Sequence, residues 1–252
     1  MTRLRAPHLR VRAATAHDLS AMATIVYEAM PSDPQWNYRF PLQKRFPEDN
    51  YGCTRQMLKS MLETDGVYIN IVTFPSPCLH EDEEIPAAVS SPSNITATNP
   101  QHSIFYTRLT LNLRAEKPEC RRDANIEHMN AFATALQSAK KSYSDSKYQS
   151  HHLHLRILAT HPDFQRRGAA SALCRWGVEY AGERKQPGTL FASPMGRKLY
   201  TYLGFKYLGT VPVQVEGEDE KLSIGAMMYS YPDEGDISPP VGPDDGVQQL
   251  RE

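Results

Sequence analysis

The sequence lacks the features that mark several large classes of protein. No apolar run approaches the roughly eighteen residues of a membrane-spanning helix. The 28 basic and 29 acidic residues leave a net charge of −1, which gives no overall electrostatic attraction to nucleic acid or to an anionic membrane. The phosphate-binding motifs G-x-x-x-x-G-K-[ST] and G-x-G-x-x-G are both absent. We therefore expect no nucleic-acid or membrane partner, and we disfavour a nucleotide-binding fold.

Cysteine is scarce, and the potential metal ligands form no set. The four cysteines show no C-x-x-C spacing, and the N-terminus lacks the apolar run of a secretory signal, so we expect reduced thiols and a cytoplasmic location. His151, His152 and His154 are close in sequence, but neighbours on a strand face opposite sides, and no cysteine or carboxylate completes a ligand set. No metal site is predicted.

The length of 252 residues is long for one domain of about 150 residues and short for two. We predict a single globular domain over residues 1–230, followed by a disordered tail at 231–252 that is rich in Pro, Gly and Asp. Residues 75–103 are polar and proline-rich, and we expect an irregular, insertion-like stretch there. A real insertion and an altered gene sequence both account for it.

Alternation and helical spacing predict the elements along the rest of the chain. A capping box at Thr15 and Asp18 precedes a first helix, a second helix covers 57–62, and Asp123 is expected to cap a helix that carries 126–136. The predicted strands are 9–13, 67–74, 85–89, 104–113, 207–215 and 222–229.

Residues 153–180 predict a strand, a turn and a helix in succession. Residues 153–159 alternate and are rich in Leu and Ile, as a mostly buried strand would be, and His161-Pro162-Asp163 is typical of a turn. After the turn, apolar residues recur at spacings of three and four and so share one helical face. These residues are Ala170, Leu173, Cys174, Gly177, Val178 and Ala181.

The junction between this strand and this helix suits an anion. First-turn amides have no intrahelical partners, and the helix dipole places partial positive charge there. Gly168, Ala169 and Ala170 are small enough to let a phosphate approach these amides, while Arg166 and Arg167 add long-range attraction. A basic turn before a small-residue helix start is the alternative interpretation.

The same junction resembles the acetyl-CoA-binding motif of the GCN5-related N-acetyltransferase (GNAT) superfamily. Gln165, Gly168 and Ala170 match its pattern Q/R-x-x-G-x-G/A, and about thirty residues later LYTYLGF, at 199–205, resembles the family's L-Y-x-x-L-G-F helix. Residues 189–193 read as the strand between the two motifs. The resemblance is close over 150–230 and looser over 9–70, and it is most similar to the fungal branch of the superfamily.

The resemblance implies an α/β (α+β) fold with a mixed, mostly antiparallel central sheet, a splayed parallel strand pair and flanking helices. It also implies acetyl-CoA as co-substrate, held by the end of one splayed strand and by the junction. Ser193 stands near the position at which relatives often place an asparagine that contacts pantetheine. The implied acetyl-CoA contacts are Leu158, Ala159, Thr160, Gln165, Arg166, Arg167, Gly168, Ala169, Ala170 and Ser193.

The catalytic chemistry implied by the resemblance centres on a tyrosine. Tyr200 occupies the position of the family's usual acid for the departing thiolate; Tyr202 is the alternative, and a purely structural role for both tyrosines is the third possibility. The general base is unidentified. His152 and His154 share a strand face and titrate near neutrality, but buried or surface histidines without a catalytic role are the more common case.

Residues 31–41 contain three aromatic residues among three prolines. We predict a rigid loop here, because proline stiffens the backbone and prevents a regular helix. In the resembled fold the region after the first helix contributes to the acceptor site, which makes Trp36, Tyr38 and Phe40 candidates for substrate contact. The alternative is a loop that its aromatic side chains pin to the core.

The preferred functional hypothesis is an N-acetyltransferase that transfers acetyl from acetyl-CoA to a small-molecule or peptide amine by direct attack in a ternary complex. The chain is near-neutral and has no acidic cluster, which slightly favours a small or apolar amine over a basic protein tail. A CoA-binding module without catalysis is the alternative, because no base is evident and the middle of the predicted sheet departs from the family. Nothing in the sequence indicates an oligomeric state.

Overall fold

A seven-stranded sheet flanked by helices makes up the part of the chain that the computed structural model describes, residues 9–75, 84–94, 121–149 and 151–230. The strands are β1 (Arg10–Ala13), β2 (Asn70–Pro75), β3 (Glu84–Asn94), β4 (Leu153–Thr160), β5 (Gly188–Ala192), β6 (Lys206–Gln214) and β7 (Lys221–Tyr229). The helices are α1 (Leu19–Ala29), α2 (Pro34–Arg39), α3 (Pro47–Leu62), α4 (Ile126–Lys140), α5 (Ala169–Glu183) and α6 (Arg197–Tyr202).

The strand order is β1-β2-β3-β4-β5-β7-β6, and each neighbouring pair is antiparallel except β4 and β5. The parallel pair follows from the connection, because the chain leaves β4, forms α5 and returns as β5 in the same direction. A mostly antiparallel sheet with one parallel pair and flanking helices confirms the predicted fold class.

The sheet buries apolar side chains on both faces. In β2, Ile71 packs into a cluster with α1 and α3, whereas its neighbour Val72 and Phe74 pack with residues of α5. Since successive side chains of a strand point to opposite sides, α5 lies on one face of the sheet and α1 with α3 on the other. Arg12 and Asp18 link β1 to the start of α1 through two hydrogen bonds of 2.8 and 2.9 Å, which lower the pKa of Asp18 to about 2.

The stretch at 75–103, expected to be irregular, contains the central strand β3. This strand runs for eleven residues, where the sequence predicted five, and pairs with β2 on one side and β4 on the other. Pro86 and Pro92 each lie at a position where the pairing register shifts. Such irregularities tolerate a proline, which otherwise removes a donor from the ladder, so these prolines do not end the strand.

Residues 34–39 form the helix α2, so the prediction that prolines prevent a helix here is wrong. Pro34 occupies the first helical position, where its missing N–H would have had no partner and its fixed φ suits the helix. Asp33 caps this end by accepting the Gln35 N–H at 2.8 Å, and Pro41 lies beyond the last helical residue. The prolines therefore bound the helix instead of breaking it.

The predicted cap of α4 is also corrected. Asn125, not Asp123, accepts the first-turn amides, from Glu127 at 3.0 Å and from His128 at 3.2 Å. Asp123 is fully buried and instead accepts hydrogen bonds from Arg121, at 3.0 and 3.1 Å. Its charge is used in a buried ion pair, which a sequence pattern does not reveal.

Several sequence predictions lie outside the described residues. These are the strand predicted at 104–113, the tail at 231–252, and the thiols of Cys78 and Cys120. Within the described ranges, no helix combines the length and apolar character that crossing a membrane requires.

Candidate active site

A β-bulge at Arg156 divides β4 into two halves. Consecutive residues of β3 pair with Leu155 and Ile157, which leaves Arg156 as the extra residue. Leu155 and Leu158 both pack in a cluster that contains residues of α5, whereas Ile157 packs with α1 and α3 on the other face. The bulge therefore interrupts the alternation that the sequence predicted over 153–159.

Beyond the bulge, the two parallel strands separate. β4 and β5 pair only from Leu153–Gly188 to Leu155–Leu190, three residue pairs in all. Among the described residues, the second half of β4 pairs only with β3, and the second half of β5 only with β7. A gap thus opens between the carboxyl ends of the two strands, and the predicted contacts at 158–160 lie on its β4 edge. Ligands of parallel sheets typically bind at such ends.

The N-terminus of α5 lies just after β4 at the same end of the sheet. Backbone bonding in this helix begins with the Ala172 N–H, which donates to Gly168 O at 2.9 Å. The amides of residues 169–171 therefore have no acceptor within the helix, and the helix dipole adds partial positive charge. This end of α5 can hold an anion with main-chain groups.

The backbone before α5 is turned sharply by two residues in the left-handed region. Gly168 has φ of 87° and Arg166 has φ of 61°. Glycine adopts this conformation freely, but a residue with a Cβ is strained by about 1 kcal/mol or more. Left-handed residues in a turn direct successive N–H groups toward one concave side, which is typical of anion sites.

The side chains before α5 surround these amides. Gln165, Arg166 and Arg167 are all exposed, and Gln165 Nε2 donates to Thr160 O at 3.3 Å, which joins the turn to the end of β4. Residues 158–160 and 165–170 thus lie together at one end of the sheet. Their expected contacts with acetyl-CoA stay a prediction.

Ser193 follows β5 on the opposite side of the gap. Its Oγ accepts the Gly196 N–H at 3.3 Å, and its carbonyl accepts the Arg197 N–H at 3.1 Å, so it fixes the start of α6. Gly196 packs directly under the ring of Tyr200, where a Cβ would come within 2.9 Å of the ring. Ser193 and Tyr200 are therefore held next to each other.

Tyr200 is the buried tyrosine of α6. Its ring packs among residues of α5, β5 and β7, with only 8% of the residue exposed, and its hydroxyl makes no hydrogen bond within the described part of the chain. Burial, with smaller contributions from Cys174 and Asp33, raises the pKa of Tyr200, so the phenol stays protonated at neutral pH. Tyr202, the alternative, is 67% exposed and points away from this cluster.

Cys174 faces Tyr200 from α5, within the same cluster. Burial raises the pKa of this thiol to about 12, so it is neutral at physiological pH. Because the thiolate is the nucleophilic form of cysteine, Cys174 is unsuited to forming an acyl-enzyme.

The two histidines considered as bases are buried where β4 and β5 are still paired. His152 is 0% exposed, and His154 Nδ1 contacts Thr189 Oγ1 at 2.8 Å. Burial lowers the pKa of His152 to about 4, helped by the charge of Lys140, and lowers that of His154 well below its usual value. Neither histidine lies in the open part of the gap.

We expect these histidines to destabilise the fold in mild acid. An unfolded histidine takes up a proton below about pH 6.5, whereas His152 resists it until about pH 4. The contribution of His152 to the free energy of unfolding is therefore fully present above pH 6.5 and is lost as the pH falls toward 4. In His152→Leu, the free energy of unfolding, measured in urea, should depend less steeply on pH. The slope should fall by up to one proton, about 1.4 kcal/mol per pH unit. An unchanged slope would contradict the assignment.

The aromatic residues of α2 are buried in two different clusters. Trp36 and Phe40 pack with α1 and α3, while Tyr38 packs with α4, β6 and β7. Tyr38 stacks on the His128 ring at 3.9 Å, and His128 in turn contacts Tyr38 O at 2.8 Å and Glu218 at 2.6 Å. The predicted acceptor residues Trp36 and Tyr38 thus hold α2 against two different clusters of the core.

Two charged residues of this segment were not singled out from the sequence. The negative charge of Asp33 acts on both Tyr200 and Arg39. It adds to the rise that burial causes in the pKa of Tyr200, and it opposes the larger fall that burial causes in the pKa of Arg39. The charge of Asp33 therefore reaches both the tyrosine of α6 and the arginine at the end of α2. An Asp before a Pro reads as an ordinary helix cap, so no sequence signal distinguishes it.

Comparisons with known proteins point to one family. Residues 130–205 match the family model described as the acetyltransferase (GNAT) family. An acetyltransferase from Stachybotrys chartarum is 21% identical over 227 residues, which cover 88% of this chain and 91% of that protein.

Solved structures share the fold at low identity. Drosophila melanogaster polyamine N-acetyltransferase is similar with a TM-score of 0.58 and 12% identity, over 88% of this chain and 100% of that one. A Corynebacterium glutamicum structure described as a histone acetyltransferase and related acetyltransferase has a TM-score of 0.55 and 17% identity, over 89% and 97% of the two chains. At these identities, the likeness shows the fold alone.

The family match covers the elements that form the gap. It runs from α4 through β4, α5 and β5 to the end of α6. It therefore includes the helix N-terminus that can hold an anion and the buried Tyr200. Family model, curated relative and fold thus all point to the GNAT acetyltransferase superfamily.

Proposed function

We propose that this chain transfers the acetyl group of acetyl-CoA to an amine acceptor by direct attack in a ternary complex, with residues 1–230 as the catalytic domain. The observation that supports this most strongly is a convergence at one end of the sheet. The open ends of β4 and β5, the N-terminus of α5 and the buried Tyr200 all lie there.

The donor fits this end of the sheet in two parts. The pyrophosphate of CoA suits the free amides of α5 and the left-handed turn before them, with Arg166 and Arg167 adding positive charge. The pantetheine arm suits the gap, because the edge of β4 at 158–160 has no strand partner on its β5 side among the described residues. Ser193 is its proposed contact on the β5 side.

The reaction balances without an acyl-enzyme. The amine nitrogen attacks the thioester carbonyl carbon, a C–N bond forms, and the C–S bond breaks as the tetrahedral intermediate collapses. The acceptor nitrogen gives up two protons to water or a carboxylate, one from its ammonium form before the attack and one from the tetrahedral intermediate. The departing thiolate takes one proton from Tyr200, which regains it from solvent. The raised pKa of Cys174 disfavours the alternative covalent route.

Asp33 is the proposed partner of the acceptor nitrogen. Amines reach the enzyme mostly as ammonium ions, and a nearby carboxylate attracts and orients them. Asp33 stands at the start of α2 and its charge acts on Tyr200, the proposed acid, which supports this role. The Drosophila relative forms N-acetylagmatine, which agrees with an amine acceptor.

Calorimetric titration of the full chain with acetyl-CoA tests the donor half of this proposal, with ATP and NAD as controls. We expect a dissociation constant in the micromolar range, about −8 kcal/mol, for acetyl-CoA alone. Thiol release in the presence of a panel of primary amines tests the acceptor half. Equal binding of all three nucleotides, or none of acetyl-CoA, would overturn the proposal.

A further inference from the structure

One face of α2 carries hydrogen-bond donors that lack acceptors among the described residues. Gln35, Trp36 and Arg39 share this face, because residues three and four apart are neighbours on a helix. Gln35 Nε2 and Trp36 Nε1 are buried and have no hydrogen-bond partner within the described ranges. Unpaired buried donors are uncommon in native proteins, and a ligand that supplies acceptors would satisfy these two.

The guanidinium of Arg39 belongs to the same face of α2. Its Nε donates to Gln35 O at 3.0 Å, and the described residues offer its terminal nitrogens neither a carboxylate nor any other acceptor. Aromatic rings surround it at 4.2 Å (Phe132), 5.2 Å (Phe40) and 5.3 Å (Trp36). Burial lowers the pKa of Arg39 to about 10, so it is still a cation at neutral pH.

Neither carboxylate of this region forms an ion pair with Arg39: Asp33 acts on its charge only at a distance, and Asp123 is paired elsewhere. Asp123 is engaged by the second arginine of this region, Arg121, at 3.0 Å, and by Asn50 at 2.8 Å. A partly buried cation without its own carboxylate is unfavourable in the free protein, and binding an anion relieves this.

The position of Arg39 relates it to the gap. Trp36 on one side packs in the cluster that contains Ala159 of β4, and Phe132 on the other packs in the cluster that contains Phe191 of β5. Arg39 contacts both rings, so it lies where the cluster that includes β4 meets the cluster that includes β5. It is on the sheet face opposite α5, away from the amides proposed for the phosphates of CoA.

We propose that Arg39 is a specificity-determining residue that binds a carboxylate of the acceptor, so that the preferred acceptors are amino acids and not simple amines. The planar guanidinium fork matches a carboxylate in a bidentate pair, and Gln35 and Trp36 supply further donors on the same face. Asp33, at the start of the same helix, attracts the ammonium group. The inference rests on the proposed function, since it names the acceptor class of that reaction.

Matched acceptor pairs test the inference. Phenylalanine with 2-phenylethylamine, arginine with agmatine, and lysine with cadaverine each differ only by the α-carboxylate. For at least one pair we expect kcat/KM to be about 10- to 100-fold higher for the amino acid, as befits hydrogen bonds to a charged group. In Arg39→Gln that preference should vanish, while the turnover of the simple amine stays within about threefold of the parent protein.

Controls separate the role of the charge from folding. Arg45→Gln removes an exposed arginine that lies over one aromatic ring, Phe46. This variant should keep the preference for the amino acid. If Arg39→Gln does not fold, Arg39→Lys carries the test. It keeps the charge but loses the fork, so the preference should fall without disappearing.

Three outcomes would overturn the inference. One is a higher kcat/KM for the simple amine in all three pairs. Another is an equal loss of kcat/KM for both members of a pair in Arg39→Gln. The third is the absence of turnover with any of the six acceptors in protein that binds acetyl-CoA; this would leave the donor half of the proposed function standing. Failure to bind acetyl-CoA is a separate result that overturns the proposed function itself.

Discussion

Replacing Tyr200 with phenylalanine is expected to lower kcat by about 100-fold or more, the usual contribution of a general acid. The ring fills the same volume among α5, β5 and β7, so packing is kept. The hydroxyl has no hydrogen-bond partner in the described structure, so its removal leaves no unsatisfied group and stability should be nearly unchanged. Affinity for acetyl-CoA should also stay the same, because the proposed role of the phenol begins when the thiolate departs.

Tyr202→Phe is the matched control, two residues away on the same helix. Tyr202 is 67% exposed, so losing its hydroxyl should change neither turnover nor binding. A pH profile adds a second readout. Because burial raises the pKa of Tyr200, the rate of the parent protein should not fall from tyrosine ionisation up to about pH 10. Normal turnover in Tyr200→Phe would rule out the tyrosine as the acid.

Replacing Gly168 with valine is expected to abolish most acetyl-CoA binding, with an affinity loss of about 100-fold. The residue has φ of 87°, a conformation that a β-branched side chain strongly resists, so the turn should shift. The new side chain would also stand beside the amides proposed to hold the pyrophosphate, and each hydrogen bond to a charged group is worth about 1.5–3 kcal/mol. Space is not the obstacle, because a Cβ here would meet only Leu9, at 3.5 Å.

Gly217→Val provides a control with the same backbone strain. Gly217, in the turn between β6 and β7, has φ of 85°, and a Cβ there would meet nothing within 4 Å. Both variants should therefore lose a similar 1–2 kcal/mol or so of stability, measured by urea unfolding. Only Gly168→Val should lose acetyl-CoA affinity in calorimetry. Equal affinities in the two variants would contradict the anion site at α5.

The sequence predicted the elements of the gap well because their signals are local. The alternation of β4, the turn at 161–163 and the helical spacing of α5 each arise within about fifteen residues. The two family motifs lie at the start of α5 and along α6. The fold class followed from them and is confirmed.

Predictions failed where the place of a residue in the folded chain overrides the usual preference of its type. Prolines read as helix breakers, yet Pro34 begins α2 and Pro86 and Pro92 lie at irregularities of β3. Asp123 read as a helix cap, but Arg121 and Asn50 bury it in an ion pair. In each case the deciding feature is a position at a helix start, at a sheet irregularity or in the buried interior, which residue type alone does not show.

The sequence by itself determined that this chain folds as a GNAT-type α/β protein with a turn of small and basic residues before α5 and a tyrosine on α6. Those features depend on residue type and spacing within short segments. Only the tertiary structure decided that β4 and β5 diverge at the bulge of Arg156, and that Arg39 at the end of α2 packs against Phe132 of α4. These relations join elements that are far apart in the sequence, and burial, which raises the pKa of Tyr200 and lowers that of Arg39, exists only once the chain is packed.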